Sequence, residues 1–321
     1  MTGSVAQTAA DRPGPRSSLE AGGQRKLLAR PGRRVSDWPA AYMLLVPVLI
    51  LFGISVIFPL FDTIRLSFFD IKGLGKPKYV GLGNYLKLFT DPAFRNTLLT
   101  TLVFTISTTI ISVGLGWMLA MLSAFAPRQT LPFRVMIFAA FGISEAVAGY
   151  MWIGILRPDA GGLLNAVIGI FQPGFAQPWL GDPRTALWAL IAAASWGGVG
   201  LPLMLCFASV QAIPKSLFEA AYIDGATHFQ VLRNIMMPLS LPGVRVAVFI
   251  NLLGALRAFD IIYILTGGGP VRSTETVGYF MYRESMTQFK LGYGAAATVV
   301  LLIAVLMVSI PAIIQRTAGA R

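Results

Sequence analysis

Three charged residues stand inside long apolar runs: Glu145, Arg257 and Asp260. On insertion scales a charge at membrane depth costs about 2.5 to 3.5 kcal/mol, so each needs a partner or a purpose. Glu145 has Gly142, Ser144 and Gly149 around it. That setting suggests a polar cavity or close helix packing, and the plain alternative is a hydrogen bond to a partner chain. Arg257 and Asp260, three residues apart on one predicted helix, would either pair with each other near its end or face a solute. Asn251, Ala255 and Ala258 share one side of the same helix at i, i+4 and i+7, where an amide and small side chains leave room for a hydroxyl-bearing ligand; small residues serve helix packing equally well. Trp152 and Trp196 could stack on a ring or anchor the chain at a membrane interface.

Other chemistries find little support. His228 has no Cys, His or carboxylate at metal-ligand spacing and reads as a solvated surface residue, so no metal site is expected. Cys206 is the single cysteine, which excludes an intramolecular disulfide and a Cys-based zinc site. No G-x-x-x-x-G-K-[ST] occurs, and Gly267–Gly269 runs into Pro270, which reads as a turn rather than a phosphate cradle. With no Ser/His/Asp or paired-carboxylate arrangement, no catalytic residue is assigned and an enzyme is not expected. Nucleotide, if the chain depends on it, must bind another polypeptide.

The elements that would position these residues follow from composition. Of 321 residues 55% are hydrophobic and 12% charged, with a mean hydropathy of +0.68, whereas soluble domains carry about 25% charged residues. Six apolar stretches, near 40–64, 98–126, 133–156, 185–210, 243–265 and 293–315, each reach the roughly 20 residues a helix needs to cross the hydrocarbon. The first is too long for a signal peptide. Nothing alternates with period two, so the predicted fold class is all-α: a polytopic membrane protein of six transmembrane helices. Residues 1–38, rich in Gly, Pro, Ser, Ala and Arg, predict a disordered basic cytoplasmic tail, and 39–316 a membrane domain. The net charge of +12 is spread between the apolar runs and this tail, with no folded basic face, which argues against nucleic acid. Fourteen Lys and Arg fall on one side and eleven on the other, which places both termini in the cytoplasm.

Between the fourth and fifth stretches lies Gln211 to Pro242, QAIPKSLFEAAYIDGATHFQVLRNIMMPLSLP. Ile213, Leu217, Ala221 and Tyr222 fall on one helical face. Pro214 suits a first turn, Ser216 to Glu219 has capping-box spacing, and Gly225 allows a left-handed turn. A second helix is expected beyond Thr227 and to stop before Pro238. The pattern is a stiff helix-turn-helix lying on the membrane face, exposed for another protein to grip.

EAAYIDGATHFQVLRNIMMPLSLP resembles the EAA loop of binding-protein-dependent ABC importer permeases, with its Glu-Ala-Ala, Asp-Gly-Ala and Ile-x-x-Pro elements. Leu232 departs from that pattern, in which an aromatic residue is common. SWGGVGLPLMLCFASVQAIP, FDIIYILTGGGPVRSTET, YGAAATVVLL, GLGNY (81–85) and RPDAGGLLN (157–165) look like the sugar-type branch, the maltose and glycerol-phosphate permeases, so the resemblance covers about 42–315. It implies a type I permease that passes a sugar, polyol or oligosaccharide. Glu219, Ala220, Ala221, Asp224 and Gly225 would couple the chain to an ATPase. Glu145, Asn251, Ala255, Ala258, Arg257 and Asp260 would line the solute pathway. The implied partners are a second, homologous permease, an ATPase dimer that binds ATP and Mg, and an extracytoplasmic solute-binding protein, in a bacterial inner membrane. This chain would hold no cofactor. The different-class reading is an ATP-independent secondary carrier or channel, which would need coupling-ion residues and no docking helix; a structural scaffold would leave the intramembrane charges without a purpose.

Overall fold

A computed structural model of the chain describes residues 38–73 and 75–318. The tail expected over 1–38 lies outside these residues, apart from Trp38. The chain divides into two units between Phe58 and Pro59. The first holds α1 (Trp38–Phe52) and a π-helical stretch, Gly53–Ile57. Its side chains are those of a lipid-facing surface: Leu44, Leu49 and Leu51 are all exposed.

The second unit starts within α2 (Phe58–Leu66). A short hairpin follows, β1 (Phe69–Asp70) paired antiparallel with β2 (Lys78–Tyr79), and then α3 (Gly83–Thr90) and the long α4 (Pro92–Ala124). Next come α5 (Leu131–Phe141), α6 (Glu145–Ile155), α7 (Leu163–Gly169), α8 (Ala186–Gly198), α9 (Gly200–Gln211), α10 (Lys215–Ile223) and α11 (His228–Val231). A π-helical stretch, Leu232–Met236, leads into α12 (Met237–Leu256), followed by α13 (Asp260–Leu265), α14 (Val277–Tyr282), a third π-helical stretch and α15 (Leu291–Ala318).

Four helical stretches are long and apolar enough to cross a membrane: Tyr42–Leu66, Pro92–Ala124, His228–Leu256 and Leu291–Ile310. Two further crossings are broken. α5 and α6 meet at 101°, and α8 and α9 at 45°. The chain is therefore a predominantly helical, polytopic membrane protein of up to six spans, but the third and fourth predicted stretches are not straight rods. The fifth is displaced as well. It starts at His228 and ends at Leu256, rather than running from 243 to 265.

α4 is the central strut. Asp91 caps it by accepting from the Ala93 N–H at 2.9 Å, and Pro92 fills the first turn, where no amide is needed. Its buried face is a ladder of Thr97, Thr101, Thr105, Thr108 and Ser112 rather than leucines. Small hydroxyl residues let helices approach closely, and Thr97 and Thr101 satisfy their hydroxyls on carbonyls four residues back, at 3.0 and 2.7 Å. α9 and α12 pack on this face around Val113, Leu203, Cys206 and Ala247. At one end the sugar-branch motifs act as clasps. Asn84 is buried and donates to the Ser67 and Phe69 carbonyls, both at 2.9 Å. Asn165 donates to the Arg157 and Gln177 carbonyls at 3.0 and 3.1 Å while accepting from the Trp179 indole at 2.7 Å.

Candidate functional site

A cavity of about 300 Å³ opens in the second unit. Its wall includes Glu145 at the start of α6, Asn251, Ala255, Arg257 and Ala258 at the end of α12, and Phe104 and Thr108 of α4. Five of the six residues predicted for a pathway thus meet at one void. Asp260, the sixth, is outside the wall but within electrostatic reach of Glu145. The Thr108 hydroxyl is buried and has no hydrogen-bond partner among the described residues. A cavity of this size with an amide, a carboxylate, a guanidinium and an unsatisfied hydroxyl suits a small polar solute.

The structure explains how three charges are accommodated at the helix breaks. Glu145 is the first residue of α6, Asp260 the first of α13, and Arg257 the cap at the end of α12. Each charge has the sign that its helix end attracts, since amide N–H groups lie exposed at N-termini and carbonyls at C-termini. Of the two roles open to Arg257 and Asp260, the mutual ion pair does not form: a break separates the two residues, and Arg257 Nε instead donates to the Leu253 carbonyl at 3.1 Å. Trp152 and Trp196 meet edge-on at 6.3 Å and are not in the cavity wall.

The second candidate is the loop between α9 and α12. α10 ends at Asp224, and Gly225 turns with φ +77°. Thr227 then caps α11: its hydroxyl accepts from the Gln230 N–H at 3.3 Å, and the Gln230 carbonyl oxygen accepts from the Thr227 N–H at 2.7 Å. The capping box therefore lies at Thr227–Gln230, not at Ser216–Glu219, because Pro214 already occupies the cap position of α10. The second helix does not stop before Pro238; it continues through the π-helical stretch at Leu232–Met236 into the membrane span. Pro238 brings no amide hydrogen to this continuing helix, and the π-helical stretch directly before it is where the hydrogen-bond ladder changes spacing. The loop is thus fused to span five, and a force on one reaches the other.

The seat of α10 differs in detail from the predicted face. Ile213 is buried, and Phe218 and Ala221 pack with Met121, Val210 and Val231, whereas Leu217 and Tyr222 are each 43% exposed. Glu219, Ala220, Asp224 and Gly225 face solvent, and so does Ile223, at 86%. His228 is exposed with its ring 5.5 Å from those of Phe125 and Tyr222, and among the described residues no group of metal ligands exists.

Sequence reasoning missed a charge network at the other end of the bundle. Glu275 is 1% exposed, 2.8 Å from Arg283 Nε; Arg283 also meets Glu284 at 3.0 Å, and Lys290 meets Glu284 at 3.2 Å. Burial holds the Glu275 carboxyl above the ordinary range, opposed by Arg283, Arg272 and the Thr97 hydroxyl. At the exposed Arg157–Asp159 pair the hydrogen bond from Arg157 holds Asp159 below its ordinary value. Glu275 was visible only as part of the STET string after the Gly-rich turn.

Residues 92–318 match the family described as "Binding-protein-dependent transport system inner membrane component". The probable ABC transporter permease protein YurN of Bacillus subtilis is 36% identical over 275 residues, covering 84% of this chain and 93% of YurN. The sn-glycerol-3-phosphate transport system permease protein UgpA of Agrobacterium fabrum is 32% identical over 268 residues, 83% of this chain and 90% of UgpA. Among solved structures, a chain of a bacterial alginate ABC transporter, in complex with alginate pentasaccharide-bound periplasmic protein, superposes with a TM-score of 0.73, covering 85% of this chain and 93% of that one. At 21% identity that likeness establishes the fold.

Proposed function

The chain belongs to the family of binding-protein-dependent transport system inner membrane components, the membrane-spanning permeases of ABC importers, and from that premise we propose that it passes a sugar, polyol or oligosaccharide through the cavity at the α6 and α12 breaks. Relatives named for glycerol 3-phosphate support this cargo class. The permease works beside a second, homologous permease, above an ATPase dimer that binds ATP and Mg, and receives cargo from an extracytoplasmic binding protein. Its termini face the cytoplasm. It belongs to a bacterial inner membrane, and it performs no bond chemistry.

The observation that carries the mechanism is the fusion of the exposed α10 loop to span five, whose far end forms the cavity wall. Glu219, Ala220, Ala221, Asp224 and Gly225 present the loop to the ATPase. Closure of the ATPases displaces α10, α11 carries the displacement into α12, and Asn251, Ala255 and Ala258 move against Glu145 and α4. Rigid-body rocking around a site at helix breaks is the ordinary form of alternating access. The buried Thr108 hydroxyl and the Asn251 amide offer the cargo hydrogen bonds, and Arg257 and Glu145 add charge-assisted partners.

The test is uptake of labelled maltose, maltotriose and glycerol 3-phosphate by proteoliposomes that hold the full complex. Uptake should require ATP on the ATPase side and the binding protein on the other, and fall to background with Glu219→Ala plus Gly225→Pro. Uptake driven by an ion gradient with no ATPase present would establish the secondary carrier instead.

A further inference from the structure

A second cavity, of about 260 Å³, lies under the transmission loop, where α4 and α9 end and α10 and α11 begin. Its polar lining consists of Gln211, Lys215, Tyr222 and His228, and no Asp or Glu contributes to it. Each of the four brings an N–H or O–H donor. Neither Lys215 nor His228 forms an ion pair among the described residues. Phe125 and Phe218 supply apolar wall. The void therefore has a cationic, donor-rich lining that includes aromatic surface, with no counter-charge of its own.

We propose that this cavity binds a small phosphorylated organic molecule of sugar-phosphate size and that occupancy weakens coupling. A phosphate accepts hydrogen bonds from an ammonium, an imidazole N–H, an amide and a phenol at once, and charge-assisted bonds of this kind are the strong ones. A volume just under the roughly 300 Å³ at which drug-sized pockets begin suits a monosaccharide phosphate better than a nucleotide. The coupling effect follows from position. Ile213 and Phe218 line this cavity and also seat α10 on the bundle, so an occupant bears directly on the piece that must move. The docking residues Glu219, Ala220, Asp224 and Gly225 do not line it, so an occupant need not compete with the ATPase.

The inference rests on the permease reading, in which this loop is cytoplasmic. There it gains a sense: a kinase reaction acting on the imported sugar would generate the ligand, and accumulated product would slow further import. A phospholipid headgroup carries the same phosphate chemistry and could enter from the membrane side.

The experiment uses the complete importer in nanodiscs of phosphatidylcholine, with and without phosphatidylglycerol. Glucose 6-phosphate, with glucose as control, is titrated while calorimetric binding and binding-protein-stimulated ATPase are read. In phosphatidylcholine, glucose 6-phosphate should bind and lower the stimulated rate by about fivefold or more, the low end of ordinary allosteric coupling, and glucose should do neither. Lys215→Gln with His228→Gln should abolish both effects. Should that double variant not assemble, Gln211→Glu places a carboxylate in the cavity and should weaken binding by repulsion. A stimulated rate already lowered by phosphatidylglycerol and restored by the double variant identifies the lipid as the source of the same chemistry. Absence of binding and of inhibition by both compounds in the wild type overturns the proposal, and so does a response that survives both sets of substitutions. A complex that shows no binding-protein-stimulated ATPase before any ligand is added refutes the permease reading instead, while calorimetry still reports on the cavity.

Discussion

Gly225→Ala isolates the geometry of the transmission loop. Gly225 has φ +77°, and a Cβ built there meets nothing within 4 Å, so the substitution adds no clash. What remains is the cost of holding an L-residue in the left-handed region, about 1 to 2 kcal/mol. That cost shifts the equilibrium between the native turn and its alternatives by a factor of roughly 5 to 30. The turn aligns α10 with α11: the Gly225 N–H reaches the Tyr222 carbonyl at 3.1 Å, the Ala226 N–H reaches that of Ala221 at 2.9 Å, and the Thr227 cap follows at once. Binding-protein-stimulated ATPase of the reconstituted complex should therefore fall by about fivefold or more, with the complex still purifying intact. Gly225→Asn is the control, because Asn enters the left-handed region far more readily than Ala and should retain much of the activity. A silent Ala variant would refute the claim that this turn is required. An Asn variant as impaired as Ala would show that added bulk at the docking surface is responsible and the backbone is not.

Two other predictions test the framework around the sites. A Cβ on Gly149 would lie 2.9 Å from Ile264 Cγ2 and 3.2 Å from its Cβ, so Gly149→Ala should overpack the α6–α13 contact and cost about 1 to 3 kcal/mol, read as a lower melting temperature of the detergent-solubilised complex; an unchanged melting temperature would mean that the two helices are not in contact there. Burial raises the Glu275 pKa, so the protonated form favours the folded state, and the stabilisation is present below the ordinary carboxylate range and lost as pH rises through the raised value. Wild-type melting temperatures should decline across that window, and those of Glu275→Gln should not; parallel curves for the two proteins would contradict the assignment.

Much of the fold was legible in the amino-acid sequence because a bilayer leaves few options. Long apolar runs must be helical, and their number and rough positions followed from length. The breaks were not legible. In the sequence Gly142 and Ser144 suggest a polar cavity or close helix packing around Glu145, and the structure puts them at the corner of a 101° bend. Hydropathy carries no information about direction, so a folded-back pair of short helices and one straight span look alike. The turn in the loop was legible for the opposite reason: Gly225 obeys a local rule for turns that needs no tertiary knowledge. Even so, the box expected at Ser216–Glu219 does not form, because Pro214 takes the cap position of α10, and the box that does form, at Thr227–Gln230, was not among the expectations from sequence.

The misplaced pair Arg257 and Asp260 carries the more general lesson. Three-residue spacing predicts an ion pair only if one helix continues through both positions, and here it ends between them. Once it ends, the cost of each charge is met by backbone groups, because the closing turn of α12 presents carbonyls to Arg257 and the opening turns of α13 and α6 present amides to Asp260 and Glu145. The side chains are then not consumed by one another. A straight span would have joined guanidinium to carboxylate and left an apolar wall with an amide in it. The broken spans instead turn charges that would be a folding liability into polar groups available at a cavity. The same discontinuity that hid the site from sequence periodicity is therefore what makes the site usable by a polar solute.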